Sequence, residues 1–318
     1  MEPEQEILIL GAGVSGLSTG ILLLKRGYTV TIWAKDLPPD ITSNLAAAYW
    51  FPYLSKPEDK VAKWAKFTLE YAKNELINDP KSGCRILQGL ELFDHNVEDP
   101  SWMDSADSFR RATPEELPNG YVDAYVFGSV LMDTSIYMDY LVEMSNNLGG
   151  QIIQKEVNDI QEAFEKNNIV VNCTGLGSRK LFNDNSIIPV RGQVLKVKSN
   201  GFDKVVADNE CPNGLCYIIP RINDIVLGGT HQDNDWNLEV DPKDTEDILR
   251  KATNIYPQFK NAEVIEVKVG LRPTRAEIRL EAEKFGDKTI VHNYGHGGSG
   301  FTLSWGCAQE VVDIVEKL

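Results

Sequence analysis

Two glycine-rich segments near the ends of the chain contain residue types that can build a ligand site. The first runs from Gly11 to Gly16 as Gly-Ala-Gly-Val-Ser-Gly, after an apolar stretch at Ile7–Leu10 and before a helical pattern. In this setting the first glycine makes a tight turn, the second lets a pyrophosphate approach the backbone, and the third lets helix and strand pack closely. The segment therefore predicts a dinucleotide site at a helix N-terminus.

The end of the next predicted strand does not decide which dinucleotide binds. An acidic residue usually binds a ribose hydroxyl about 20 residues after the glycines, but here Lys35 stands nearest that place and Asp36 follows it. Lys35 could read a 2′-phosphate, which would indicate NADP. Alternatively, the backbone could hold the ribose with the help of Asp36.

The second glycine-rich segment, Gly295–Gly300, lies between a predicted strand at Thr289–His292 and a predicted helix at Phe301–Lys317. The positive end of such a helix suits an anion or a ligand that gains negative charge. A reduced flavin is one such ligand, because it gains charge at its N1–C2 carbonyl edge, which a helix N-terminus would stabilise.

The composition restricts the class of protein. The chain has 318 residues, 42% of them apolar and 25% charged, with a formal net charge of −15. We expect a soluble protein without a signal peptide, a membrane span or a nucleic-acid partner, because nucleic-acid binding needs clustered Lys and Arg. The five cysteines are scattered, which favours reduced thiols, including Cys211 and Cys216.

The elements that must position these segments alternate along the chain. Hydrophobic periodicity predicts strands and helices in the first and last parts, loops and short strands at Asn78–Gly120, and mainly strands at Val190–Val269. The predicted helices are Gly13–Arg26, Glu58–Leu76, Ile136–Asn147 and Phe301–Lys317, and the predicted strands flanking the ends are Ile7–Leu10, Tyr28–Trp33, Gln151–Val157, Ile169–Asn172 and Thr289–His292.

The run Ile290–Ala308 resembles the signature of the D-amino acid oxidase family at every position, from two aliphatic residues and His-Asn-Tyr-Gly to the closing Gly-x-Ala. Further stretches resemble the same family in the same order, so the similarity covers essentially the whole chain. These stretches are Ala46–Tyr53, Val171–Gly175, Tyr217–Pro220 and Val269–Pro273.

The resemblance implies an α/β fold in which a Rossmann-type FAD-binding domain is interleaved with a sheet-rich α+β substrate-binding domain. The FAD-binding domain is predicted from residues 1–50, 140–188 and 286–318, and the substrate-binding domain from residues 51–139 and 189–285. The implied reaction passes a hydride from Cα of a D-amino acid to flavin N5. It yields an imino acid, then a 2-oxo acid and ammonia, and hydrogen peroxide when O2 reoxidises the flavin. A homodimer is a further expectation.

The same resemblance implies the ligand contacts. Arg272 is expected to clamp the substrate carboxylate with Tyr217 as its partner, and the Gly298 carbonyl to accept the substrate ammonium, with His231 and Tyr53 nearby. No acid or base catalyst and no metal are expected, and His292 and His296 are assigned loop-structural roles. The expected FAD contacts are Gly11, Ala12, Gly13, Val14, Ser15, Gly16, Lys35, Asp36, Thr42, Ser43, Ala48, Tyr49, Val157, Thr174, Gly175, Gly297, Gly300, Phe301 and Thr302.

Two departures from the family pattern bear on the substrate. Asn213 stands where mammalian members carry a lid tyrosine, so slow release gated by a lid is not expected. His231 stands where D-aspartate oxidases place an arginine, and Glu210 falls about where their lid supplies another. This pair favours neutral D-amino acids, although a protonated His231 would partly restore acidic pairing.

Other functions are compatible with parts of the sequence. D-aspartate oxidase shares the chemistry, as do glycine and sarcosine oxidases. An NADP-dependent dehydrogenase would explain Lys35 but not the C-terminal signature. A non-catalytic nucleotide-binding protein would not explain the presence of Arg272 and Tyr217. The tail ends in Lys317-Leu318 without the small residue of a Ser-Lys-Leu peroxisomal address, so we expect a cytoplasmic protein.

Overall fold

One mixed sheet runs through the protein in a computed structural model that describes residues 5–52, 54–209 and 215–318. Its strands are β1 Glu6–Leu10, β2 Thr29–Ala34, β3 Cys84–Phe93, β4 Asp107–Arg111, β5 Asp123–Met132, β6 Gln151–Gln154, β7 Ile169–Asn172, β8 Ile188–Lys198, β9 Val205–Asp208, β10 Cys216–Pro220, β11 Asp224–Gly228, β12 Gln232–Asp233, β13 Val264–Phe285 and β14 Lys288–His296. The α-helices are α1 Val14–Lys25, α2 Thr42–Leu45, α3 Glu58–Tyr71, α4 Thr134–Asn147, α5 Ile160–Lys166, α6 Ser178–Leu181, α7 Pro242–Ile255 and α8 Gly300–Val315.

Parallel strands form one side of the sheet in the order β14-β7-β1-β2-β6. The short apolar strand β1 is buried on both faces, as its sequence predicts. Ile7 and Ile9 belong to the core formed with α1 and α8, whereas Leu8 and Leu10 pack with Phe164 of α5 on the opposite face. Helices thus cover both faces of this side, which is the Rossmann-type arrangement.

The other side of the sheet has the order β4-β5-β3-β9-β10-β11-β8-β13 and is mainly antiparallel. Alternate residues of its strands face opposite ways. Leu195 of β8 and Ile218 of β10 pack with Ile248 of α7 on one face. Val194 and Ile219 form a separate cluster on the other face. That second face forms a wall of the candidate site.

The 22-residue strand β13 joins the two sides of the sheet. Its first half pairs with β8 from Val264 to Thr274, and its second half pairs with β14 from Arg279 to Phe285. The predicted boundary between residues 285 and 286 falls in the turn between β13 and β14. The division into two domains remains a prediction.

Several predicted elements are observed with other bounds. The predicted helix at Glu58–Leu76 ends as an α-helix at Tyr71 and continues as a π-helical turn at Ala72–Leu76. Strand β6 ends at Gln154 rather than at Val157. The prediction of only loops and short strands at Asn78–Gly120 was wrong, because β3 is ten residues long. It lies between β5 and β9, where its second half is buried.

The prediction for Val190–Val269 was incomplete, because this region also contains the 14-residue helix α7. Its start has a recognisable signal. Asp241 precedes Pro242 at the first helical position, and the Asp241 side chain accepts a hydrogen bond from the Lys243 N–H at 2.8 Å. Its buried residues Ile248, Ala252 and Ile255 follow helical spacing. Within the described residues, no helix combines the length and apolar composition that a bilayer span requires.

Candidate functional site

A cavity of about 1180 Å³ begins where β1 and β7 end. At this point the strand order reverses, with β2 on one side of β1 and β7 on the other. Ligands of open α/β sheets bind at such switch points, outside the carboxyl ends of the strands. The cavity then continues along the face of β8, β10 and β13. It therefore connects the parallel side of the sheet with the antiparallel side.

The turn from β1 to α1 requires glycine for two different reasons. Gly11 has a φ of +106°, and a Cβ atom there would lie 2.4 Å from the Cys173 carbonyl oxygen. A Cβ atom on Gly16 would lie 1.9 Å from the Gly11 carbonyl oxygen, so this glycine permits close packing and does not line the cavity. The Ser43 hydroxyl accepts a hydrogen bond from the Val14 N–H at 3.1 Å and ties α2 to the start of α1. The N-terminus of α1 borders the cavity, so its positive end can face a phosphate there.

Cationic side chains lie at the end of β2. Lys35 and Asp36 both line the cavity, and Nζ of Lys35 lies 3.4 Å from a carboxylate oxygen of Glu156. Nζ of Lys155 lies 3.6 Å from the ring centroid of Trp33, which also lines the cavity. Sequence reasoning missed Lys155 and Trp33, because only the pairing of β2 with β6 brings them together.

The turn after β7 is held by side-chain hydrogen bonds. Oδ1 of Asn172 accepts from the Thr174 N–H at 3.1 Å and from the Thr174 hydroxyl at 2.8 Å. Nδ2 of Asn172 lies 3.1 Å from Nδ1 of His292, and Nε2 of His292 lies 3.1 Å from Glu283. Burial lowers the pKa of His292 to about 4, so the ring is neutral at pH 7. His292 is thus part of the support behind Thr174, which lines the cavity.

The second glycine-rich segment brings the start of α8 to the same cavity. Gly297 has a φ of +54° and begins a 3-10 turn that leads into the helix. The Thr302 hydroxyl accepts from the Phe51 N–H at 3.1 Å and lies 3.0 Å from the Phe51 carbonyl oxygen. Nδ1 of His296 lies 3.4 Å from the Ser15 hydroxyl, and burial lowers the pKa of His296 to about 4. The two glycine-rich segments, 281 residues apart at Ser15 and His296, therefore touch.

Arg272 and Tyr217 meet at the far end of the cavity, on β13 and β10. Nη1 of Arg272 donates to the Thr230 carbonyl oxygen at 3.0 Å. Burial raises the pKa of Tyr217, and the charge and hydrogen bond of Arg272 oppose this rise in part. The phenol is therefore protonated beside a fixed cation. A guanidinium with one anchored edge retains N–H groups that can bind a carboxylate.

Among the described residues, Val194, Ile219 and Phe51 add apolar and aromatic surface to the cavity lining, and Lys268 adds a cation. Lys268 lies two residues before Gly270 and four before Arg272, on the same face of β13. Its Nζ lies 2.6 Å from Glu266, whose carboxylate also contacts Lys196 at 2.8 Å.

Most of the predicted contacts line this one cavity. For FAD, all of the predicted residues except Gly16 do so, and for the substrate Arg272, Tyr217 and Gly298 do so. His231 does not line it. Its Nε2 lies 3.2 Å from Asp233 on a side chain that is one third exposed, so the structure gives no support to a role in substrate binding. The predictions for Tyr53, Glu210 and Asn213 lie outside the described residues.

Comparison with known proteins gives a consistent result over nearly the full length. A family model described as "FAD dependent oxidoreductase" matches residues 6–314. The chain is 52% identical to a D-amino-acid oxidase of Dictyostelium discoideum, covering 99% of this chain and 92% of that protein. It is 43% identical to a D-amino-acid oxidase of Rubrobacter xylanophilus, covering 95% and 93% of the two chains.

A human D-aspartate oxidase is also similar, with 34% identity over 98% of this chain and 94% of that protein. Among solved structures, glycine oxidase from Geobacillus kaustophilus superposes with a TM-score of 0.82 at 19% identity, covering 98% of this chain and 95% of the other. At that identity the structural match supports the fold alone.

Proposed function

Because this chain belongs to the FAD-dependent oxidoreductase family, we propose that it is an FAD-dependent oxidase of D-amino acids that favours neutral side chains. The observation that carries the proposal is the meeting of Arg272 and Tyr217 in the cavity that both glycine-rich segments line. A carboxylate clamp and a dinucleotide site in one cavity are the two parts that an amino acid oxidase needs.

The residues present fit FAD. A backbone without side chains at Gly11 and Gly13 offers room for a pyrophosphate, and the helix end behind it favours an anion. Thr174 and the N-terminus of α8 lie further along the same cavity, where they would hold the flavin. Bound there, FAD would supply the acceptor for the hydride of the substrate Cα and the route for its electrons to O2.

The substrate end is suited to orienting an α-amino acid. The Arg272 fork would bind the α-carboxylate in two-point fashion, and the protonated phenol of Tyr217 would donate a third hydrogen bond. The carbonyl of Gly298 would accept the substrate ammonium. Once the ammonium has lost one proton to water, the neutral amine can release the hydride directly, so no acid or base catalyst is required and orientation of Cα is the main contribution of the protein.

Among the described residues of the cavity, Val194, Ile219 and Phe51 support a neutral side chain, because none of these three can pair with a second carboxylate. One observation favours the second candidate, a D-aspartate oxidase. Lys268 lines the cavity and could pair with a second carboxylate, although its Nζ already forms an ion pair with Glu266, which also pairs with Lys196. The two candidates therefore differ in the side chain that the cavity accepts.

Anaerobic mixing of the purified flavoprotein with D-alanine, L-alanine and D-aspartate tests the proposal through bleaching of the flavin absorbance. We expect bleaching by D-alanine and not by L-alanine, with hydrogen peroxide after air is admitted. Faster bleaching by D-aspartate would replace the neutral preference with the second candidate. Bound flavin that none of the three reduces would refute the oxidase function.

Two further expectations complete the proposal. We expect a cytoplasmic enzyme that assembles as a homodimer. Light scattering measures the second property directly, and a mass near twice the 35.5 kDa of one chain is the expected result.

A further inference from the structure

Three glycines lie against Arg272 and Tyr217, two residues that line the cavity. Gly192 belongs to β8, Gly228 ends β11, and Gly229 follows directly. We call these three residues the glycine floor. None of them has a positive φ, so a left-handed backbone conformation is not the reason for glycine there.

The guanidinium of Arg272 lies directly against Gly192. A Cβ atom built on Gly192 would lie 2.3 Å from Nη1 and 2.6 Å from Cζ of Arg272. These distances are far below van der Waals contact. Any side chain at position 192 would therefore push the guanidinium away from the sheet.

The ring of Tyr217 lies in the same way against the other two glycines. A Cβ atom on Gly228 would lie 2.0 Å from Cζ of the ring, and one on Gly229 would lie 2.8 Å from the hydroxyl oxygen. The register explains the contact, because Tyr217 pairs with Gly228 across β10 and β11. Both members of the carboxylate clamp thus rest on bare backbone.

Gly270 provides an instructive contrast. It pairs with Gly192 across β13 and β8, and a Cβ atom there would meet only the side chain of Leu45, at 3.2 Å. The close contact with the clamp is therefore specific to the glycine floor. The Arg272 guanidinium is also held from one edge, because its Nη1 donates to the Thr230 carbonyl oxygen.

We propose that the glycine floor sets the height and tilt of the clamp above the sheet, and hence the position in which the substrate carboxylate is bound. Gly192, Gly228 and Gly229 are positioning residues that act through Arg272 and Tyr217. The inference rests on the proposed function, since the clamp is the part of that function that the glycine floor supports. A shift of about 1 Å in such a clamp is enough to weaken binding and misplace Cα.

Gly192→Ala tests the inference in the holoenzyme. The probe is benzoate, a monocarboxylate, and its binding is followed through the flavin absorbance. We expect the Kd of benzoate and the KM of D-alanine to rise about tenfold or more, because a charge-assisted hydrogen bond is lost or bent. The Kd of FAD should stay within about twofold of wild type, since position 192 lies at the clamp. An unchanged benzoate Kd would overturn the inference.

A double-mutant cycle separates positioning from general damage. Arg272→Ala removes the group that Gly192 contacts, so adding Gly192→Ala should then weaken benzoate binding by less than about twofold. Full additivity of the two effects would contradict the inference. If Gly192→Ala does not fold, Gly228→Ala in wild type and in the Tyr217→Ala variant gives the equivalent cycle.

The same measurements distinguish this inference from the proposed function. A wild-type flavin that D-alanine fails to reduce would refute the oxidase. A non-additive cycle in benzoate binding would still support the glycine floor in that case. Reduction by D-alanine together with an additive cycle would leave the oxidase intact and refute the glycine floor.

Discussion

Nδ2 of Asn172 lies 3.1 Å from Nδ1 of His292, and this contact joins the signature histidine to the turn that lines the cofactor cavity. The amide donates, so Nδ1 accepts and the ring hydrogen is on Nε2, directed to Glu283. The other end of the Asn172 amide holds Thr174. A protonated ring would face the amide donor with an N–H group and break this arrangement.

Stability is therefore expected to fall below pH 6.5. The ordinary pKa of 6.5 falls to about 4 in folded His292, so between these values the unfolded chain binds a proton that the folded chain does not. Urea unfolding at pH 7 and pH 5 should show a smaller loss for His292→Gln than for wild type, by up to about 1.4 kcal/mol per pH unit. His95→Gln is the control for the loss of an imidazole at an exposed site outside this network. Equal losses in all three proteins would contradict the prediction.

Gly11→Ala should abolish FAD binding. The added Cβ atom would collide with the Cys173 carbonyl, and the φ of +106° is strained for alanine. Gly27→Ala is the matched control, because Gly27 has a φ of +88° and open space around it. Flavin fluorescence titration should give normal binding for the control. Normal binding by Gly11→Ala would show that the turn does not carry the cofactor.

Arg272→Lys should raise the KM of D-alanine by about tenfold to a hundredfold. The charge is retained, but the fork that pairs with both carboxylate oxygens is lost. Steady-state kinetics measures the effect, and Arg250→Lys, at an exposed pair with Asp247, serves as the control. If Arg272→Lys retained the wild-type KM, the two-point contact would be excluded.

Tyr217→Phe should raise the KM of D-alanine by about threefold to tenfold, the effect expected for one lost hydrogen bond. Burial raises the pKa of Tyr217 above its ordinary value of 10.0, so the phenol keeps its proton between pH 7 and pH 9. The ratio of the two KM values, variant over wild type, should therefore be constant across this range. A ratio that decreased towards pH 9 would indicate that the phenol ionises.

Lys268→Ala distinguishes the two candidate substrate classes. If neutral substrates are preferred, kcat/KM for D-alanine should stay within about twofold, because an apolar side chain makes no ion pair with this cation. Any activity towards D-aspartate should fall by about tenfold with the loss of a partly screened ion pair. Lys198→Ala, at an exposed position of β8, is the control. A large loss with D-alanine would contradict the neutral preference.

The residues predicted to contact FAD, apart from Gly16, line one cavity, because they follow strand ends in chain order. The segments Gly11–Gly16 and Gly295–Gly300 each lie at a helix N-terminus. Such local geometry depends on consecutive residues, so it can be predicted from the sequence. His231 was assigned to the substrate pocket by position in a family pattern, yet its side chain is directed to Asp233. The direction of one side chain beyond a strand depends on neighbours that spacing does not reveal.

The residues that were missed depend on strand register. Gly192 belongs to no glycine motif. A side chain there would collide with Arg272 of β13, which is 80 positions away in the sequence. Lys155 reaches Trp33 only because β6 pairs with β2. Asp241-Pro242 is a helix-start signal that would have predicted α7, but the region was assigned to strands because strand patterns dominate around it.

The long strand β13 couples the unfolding of the cofactor side to that of the substrate side, because it is hydrogen-bonded to both. Its backbone hydrogen bonds reach β8 in the first half and β14 in the second, so neither side of the sheet can detach without disrupting the strand that carries Arg272. We therefore expect local opening on the flavin side to extend to the clamp. By the same connection, we expect bound cofactor to stabilise the substrate side, so that both sites unfold together.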